Sequence, residues 1–190
     1  MCPDSHLYFS SSVSTVTRLM YVSEKHESFA REHIAMVRNR IYHKIVEYAD
    51  IDLDTDQRIR LFDIRVKLND APIKQKIKEL SSSTKVKRNG IELILRTEKT
   101  VEQSIHQEMG DDTSFWQALI PLHQSNIDTV TTVVKRGSNE RALDMEQGQW
   151  CVIRGDVWHY GTKTNGVAPE AFTIGDHSVM SLLTVYYTTE

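Results

Sequence analysis

Cysteine is nearly missing from this chain: only Cys2 and Cys151 occur among its 190 residues. That scarcity excludes a disulfide framework and any zinc site built from cysteines, and it fits a reducing compartment. Long apolar runs are missing too. The opening stretch, Met1 to Ser14, has neither a basic leader nor a continuous apolar segment. The expectation is therefore no membrane span, no secretory signal and an intracellular protein, cytoplasmic or nuclear. Positive charge is not in excess, because the formal net charge is −3, which gives no general attraction to nucleic acid. The local basic cluster of Lys74, Lys76, Lys78, Lys85, Lys87 and Arg88 reads as a solvated helix and loop. No internal repeat is visible. The remaining composition, 39% hydrophobic and 26% charged, is that of a globular chain able to bury a core, with only oxygen and nitrogen groups to offer a metal.

Periodicity divides the chain near residue 90. Ile34, Val37, Ile41, Ile45 and Tyr48 recur at steps of three and four, so a helix beginning near Phe29 turns one stripe to a core. A second helix is expected from about Asp56, with Ile59, Phe62 and Val66 inward. A third follows Asp70 as its N-cap, with Pro72 in the first turn and Ile73, Ile77 and Leu80 on one face. At Asn89-Gly90 a turn signal introduces short β-rich runs: Glu92 to Glu98, Phe115 to His123, Thr129 to Lys135, Arg141 to Glu146, Trp150 to Ile153, Val157 to Thr162 and Val179 to Thr188. Helices gathered before strands, with no βαβ alternation, argue for an α+β architecture rather than a parallel sheet. The expected arrangement is a helical region, 1–90, packed on an antiparallel β core, 91–190, as one structural unit.

Among candidate motifs, Asp50, Asp52, Asp54 and Asp56 imitate the start of a calcium loop. The position that needs glycine is Thr55 and the one that needs a bidentate glutamate is Leu61, so the imitation fails. His106 and Glu108 are more informative: residues two apart on a strand share a face, which sets imidazole and carboxylate side by side. Downstream, Gly148 to Gly161 reads as strand, Gly155-Asp156 turn and strand, with His159 emerging early on the second strand and Gly161 leaving room beside it. Trp158 and Tyr160 then point to the opposite face. Trp116 and Trp150 read as packing residues and His123 as a polar strand end.

The run of glycine, apolar strand, Arg154-Gly155-Asp156, apolar residue and His159-Tyr160-Gly161 resembles the distal-histidine segment of the iron(II)- and 2-oxoglutarate-dependent oxygenases. His106 and Glu108 match the family's upstream His-x-Asp/Glu pair, with glutamate where aspartate is usual. The resemblance covers roughly Ile91 to Thr188 and implies a double-stranded β-helix, or jelly roll. It also implies Fe(II) held by His106, Glu108 and His159, and 2-oxoglutarate decarboxylated to succinate as a substrate is hydroxylated or demethylated. Two imidazoles and a carboxylate suit that metal because they hold one face of the ion and leave the other open. The family usually binds the distal carboxylate of 2-oxoglutarate with a basic residue on the last strand, yet Asp176 to Leu183 contains no Arg or Lys. Lys135, with Arg136 beside it, and His177 are the expected replacements, Lys135 being favoured, since a buried carboxylate needs a partner.

Two other readings stay open at this level. One is a cupin-like or degenerate jelly-roll binding module without 2-oxoglutarate turnover, and the other an iron or manganese cupin enzyme that uses no keto acid. The substrate class is equally open among small molecules, peptides and nucleobases.

Overall fold

Helix α1, Arg31–Glu47, forms where the three-and-four spacing predicts it, and Ile34, Val37, Ile41 and Ile45 are all buried. A computed structural model describes residues 27–47, 51–62, 64–123, 131–164 and 172–190; Tyr48 and Asp50 lie outside that set. Helix α2, Ala71–Ser81, buries Ile73 and Ile77 and starts after Asp70 with Pro72 in its first turn. Asp70 stands at the cap position, but its side chain does not cap. Its carboxylate pairs instead with Lys74 at 3.3 Å and Arg88 at 3.5 Å.

Among the described residues, ten strands form two antiparallel sheets. They are β1 (Glu27–Ser28), β2 (Ile59–Phe62), β3 (Val86–Arg96), β4 (Phe115–Pro121), β5 (Thr132–Arg136), β6 (Asn139–Leu143), β7 (Gln149–Arg154), β8 (Trp158–Gly161), β9 (Phe172–Ile174) and β10 (His177–Thr189). The large sheet runs β1-β7-β4-β10-β3-β2, with β9 on the end of β10, and the small sheet runs β6-β5-β8. Alternation divides each strand between two environments. Leu93, Leu95, Trp116, Ile120, Leu183 and Val185 join the helical residues in one core, whereas Leu119, Val134, Cys151, Ile153 and Leu182 join the two sheets in a second. Buried residues of both helices thus share one core with the large sheet, and the small sheet shares the second with it. This is the layered antiparallel arrangement expected of a jelly roll.

The structure corrects two expectations. The helix expected from Asp56 is absent: Ile59–Phe62 is a strand paired with β3, Ile59 opposite Leu95 and Leu61 opposite Leu93. Its burial alternates, leaving Phe62 60% exposed, so the operative period is two, and the three-residue step from Ile59 to Phe62 is coincidental. Asn89-Gly90 is likewise not a hairpin turn. It lies inside β3, where Gly90 faces Tyr186 and Arg88 faces Tyr187, so Asn89 is the extra residue of a β-bulge. β1 and β2, though they precede residue 91, belong to the large sheet. No helix among the described residues is long and apolar enough to cross a membrane.

Candidate metal centre

After β3 the chain leaves the large sheet and crosses to the edge of the small one. There Gln103 N–H donates to Gly161 O at 2.9 Å, and His106 and His159 exchange both backbone hydrogen bonds, at 3.0 and 2.8 Å. His106 and His159 therefore stand directly opposite one another, with side chains on the same face and ring centroids 4.5 Å apart. Glu108 follows two residues later on that face.

The imidazole tautomers are set by the backbone. His106 Nδ1 lies 2.9 Å from Ser104 O, and His159 Nδ1 lies 2.9 Å from Val157 O. A carbonyl can only accept, so each Nδ1 carries the ring proton and each Nε2 presents a lone pair. Those lone pairs converge with Glu108 Oε2, which is 3.7 Å from His106 Nε2 and 4.0 Å from His159 Nε2. One ligand atom from each residue lies within 4.8 Å of the other two, and this trio is the metal-ligating cluster found among the described residues. Two amide nitrogens lie beside the imidazoles: Gln103 Nε2 is 3.2 Å from His106 Nε2, and Gln117 Nε2 is 3.2 Å from His159 Nε2.

Charge in the centre follows from these contacts. The His106 imidazole beside it, aided by Arg60, His159 and Tyr186, holds the Glu108 carboxyl down at about 2 against the opposing effect of burial. The same contact raises His106, while burial lowers His159. One ionised carboxylate and two imidazole nitrogens with a shared open side suit a first-row divalent ion such as Fe(II).

A cavity opens from the three ligands into the space between the sheets, with Arg58, Arg96, Gln117, Thr184 and Gly161 on its walls. It shares Arg96, Thr132 and Leu182 with a second cavity that reaches His123, Met145 and Met180. Arg96 is 4% exposed, and its Nε and Nη1 have no hydrogen-bond partner among the described residues; Thr184 Oγ1 has none there either. Burial and then repulsion from Arg58 push the Arg96 guanidinium down to about 9, which leaves it charged at neutral pH. Burial lowers Arg58 to about 10, against the pull of Glu102. Gly161 is the residue they press upon: a Cβ there would lie 2.5 Å from Arg96 Nη2 and 2.8 Å from Arg58 Nη2.

Of the residues singled out in the sequence, His106, Glu108 and His159 come together. Lys135 and His177 do not line this cavity. Lys135 Nζ pairs with Glu140 at 3.0 Å, across from the 46% exposed Trp158, and His177 Nδ1 faces Glu98 at 3.4 Å. Arg58 and Arg60 escaped sequence reasoning because their segment reads as a helix. Arg96 was visible as a charge inside an apolar strand, on the same face as Ile94, and that misfit is the signal that could have found it.

No protein-family model matches the chain, and no curated protein matches it. Solved structures do. SnoK, a non-haem alpha-ketoglutarate-dependent carbocyclase from nogalamycin biosynthesis, is 12% identical, with a TM-score of 0.66 over 85% of this chain and 76% of its own. EctD from S. alaskensis, solved with 2-oxoglutarate and 5-hydroxyectoine, is 13% identical, with a TM-score of 0.65 over 88% of this chain and 71% of EctD. A prolyl-4-hydroxylase from Pseudomonas putida is 9% identical, with a TM-score of 0.59 over 89% of this chain and 92% of its own. This chain therefore carries the fold on which these oxygenases are built.

Proposed function

We propose that this chain is an iron(II)- and 2-oxoglutarate-dependent oxygenase that hydroxylates or demethylates a small-molecule, peptide or nucleobase substrate. The observation that carries the reading is the convergence of His106 Nε2, His159 Nε2 and Glu108 Oε2 at one end of a cavity between the sheets. When bound, the metal and keto acid supply the oxidation: one oxygen atom of O2 ends in succinate, the other in the substrate's former C–H bond, and CO2 leaves.

The chain's own residues divide the remaining tasks. Arg96, with Arg58 beside it, is the proposed anchor for the distal carboxylate of 2-oxoglutarate, in place of Lys135 and His177. Arg96 pairs in register with Met180, near the start of the last strand, so its guanidinium belongs to the strand adjoining the one where the family usually has its basic residue. A buried cation, Arg96, with a half-buried one, Arg58, beside it and no carboxylate between them favours a dicarboxylate ligand, because each charge-assisted hydrogen bond gained is among the stronger kinds. This support also weakens the cupin-like binding-module reading, which drew on the lack of a basic residue in the last strand.

Anaerobic thermal unfolding with and without Fe(II) tests the metal assignment. A rise in melting temperature for the wild type, lost in His159→Ala, is the expected result, since a ligand of the folded state stabilises it by mass action. No rise in the wild type, or an undiminished rise in the variant, overturns the assignment. Succinate release from 2-oxoglutarate in air then separates an oxygenase from a metal-binding module.

A further inference from the structure

Only one oxygen of Glu108 faces the two imidazoles. The other, Oε1, accepts a hydrogen bond from Arg60 Nη2 at 3.3 Å and lies 3.2 Å from the Tyr186 hydroxyl. Behind those two groups stands Glu92, which is 0% exposed. Its carboxylate accepts from Arg60 Nε and from Arg60 Nη2 at 2.9 Å, and it shares with Glu108 Oε1 the single proton of the Tyr186 hydroxyl. Arg60, Glu92 and Tyr186 come from three neighbouring strands, β2, β3 and β10, so the sheet ladder fixes their spacing. Arg60 is also matched in charge by Glu92, so the pair adds no net positive charge beside the ligands.

We propose that Arg60, Glu92 and Tyr186 are positioning residues that hold Glu108 Oε1, present Oε2 alone to the metal, and fit the site to glutamate rather than aspartate. Glu108 leaves the segment along the small sheet and must touch both the imidazoles on its own side and the frame on the large sheet. An aspartate ends one methylene short and cannot keep both contacts. Groups that orient a metal ligand change metal affinity on the order of tenfold or more when removed. The inference rests on the metal-centre reading above.

Mn(II) alone is the probe, titrated into the metal-free protein and followed by the electron paramagnetic resonance signal of the free ion. Tyr186→Phe should weaken Mn(II) on the order of tenfold, while its melting temperature without metal stays near that of the wild type. Arg60→Gln alone strands a buried carboxylate and risks misfolding, so Arg60→Gln/Glu92→Gln, which removes both charges together, is the second variant and should weaken Mn(II) similarly. Glu108→Asp should weaken binding in the wild type and cost much less in a Tyr186→Phe background, because both changes act on the same oxygen. Folded Tyr186→Phe and Arg60→Gln/Glu92→Gln proteins that bind Mn(II) within twofold of the wild type overturn the proposal, as does a Glu108→Asp protein that binds as tightly as the wild type. A wild type that takes up no Mn(II) removes the metal-centre reading itself, and the frame's role with it.

Discussion

Arg58 and Arg96 bring two guanidinium groups to the same glycine, Gly161, one step beyond the Ile59–Leu95 pair of β2 and β3. Like charges facing each other across a strand pair are destabilising, and here both are partly or wholly removed from water. Arg58→Met relieves that repulsion but loses the hydrogen bond from Arg58 Nη2 to Gly161 O at 2.8 Å, so the stability of the ligand-free protein should stay within about 1 kcal/mol of the wild type, while 2-oxoglutarate binding weakens. Urea unfolding and calorimetric titration measure the two effects; a loss of stability without a loss of affinity would place Arg58 outside the anchor.

Gly161→Ala tests the same site from the opposite sheet. The new methyl would meet the ends of both guanidinium groups, which can move, so the cost in stability should be small, about 1 kcal/mol. Their displacement should still weaken 2-oxoglutarate binding on the order of tenfold, as expected when a charge-assisted hydrogen bond is lost. Fe(II) or Mn(II) affinity should be kept. Equal losses of metal and keto acid would mean that the substitution disturbs His159 rather than the anchor.

His123 makes stability depend on pH in a defined direction. Burial, with help from Arg96 and Arg38, lowers this histidine to about 4 from an ordinary 6.5, against the backbone contact with Ser181. Above pH 6.5 neither folded nor unfolded chain holds the extra proton, so nothing is lost. As pH falls from 6.5 towards 4 the unfolded chain binds it first, and stability drops by about 3 kcal/mol. His123→Gln should flatten that limb of the curve in urea unfolding of the metal-free protein. An unchanged slope would assign the acid sensitivity to other groups.

Cys151 is wholly inside the contact between the sheets, and burial pushes its thiol up to about 12. It should resist alkylation in the native protein and react fully in urea, as judged by mass spectrometry of the peptide that contains it. Rapid native labelling would show that the inter-sheet core opens readily.

The legible parts of this protein are those encoded by nearest neighbours along the chain. The α1 stripe needs only the spacing of Ile34, Val37, Ile41 and Ile45. His106 and Glu108 needed only the two-residue period of a strand, and His159 the strand-turn-strand grammar of Gly148 to Gly161. The anchor and the frame are different in kind, because Arg96 matters through Arg58 and Gly161, and Glu92 through Arg60 and Tyr186, which are neighbours only across strands. β2 hid both sets. Four residues with apolar groups at Ile59, Leu61 and Phe62 satisfy a helical step as well as an alternating one, and pairing with β3 decides between them. Lys135 looked suitable by order in the chain, but it sits on the outward phase of β5, next to the core-facing Val134.

The placement of β10 has a consequence for how the protein is made. β10 lies between β3 and β4 in the large sheet yet follows both in sequence, so a growing chain exposes two strands whose common neighbour has not been synthesised. Until it arrives, the edges of β3 and β4 are open to pairing with other chains. Assembly must wait for the most distant contacts, which slows folding. A chain cut short before Ser181 would have all three candidate metal ligands on the small sheet but not the strand that joins β3 to β4 beneath them.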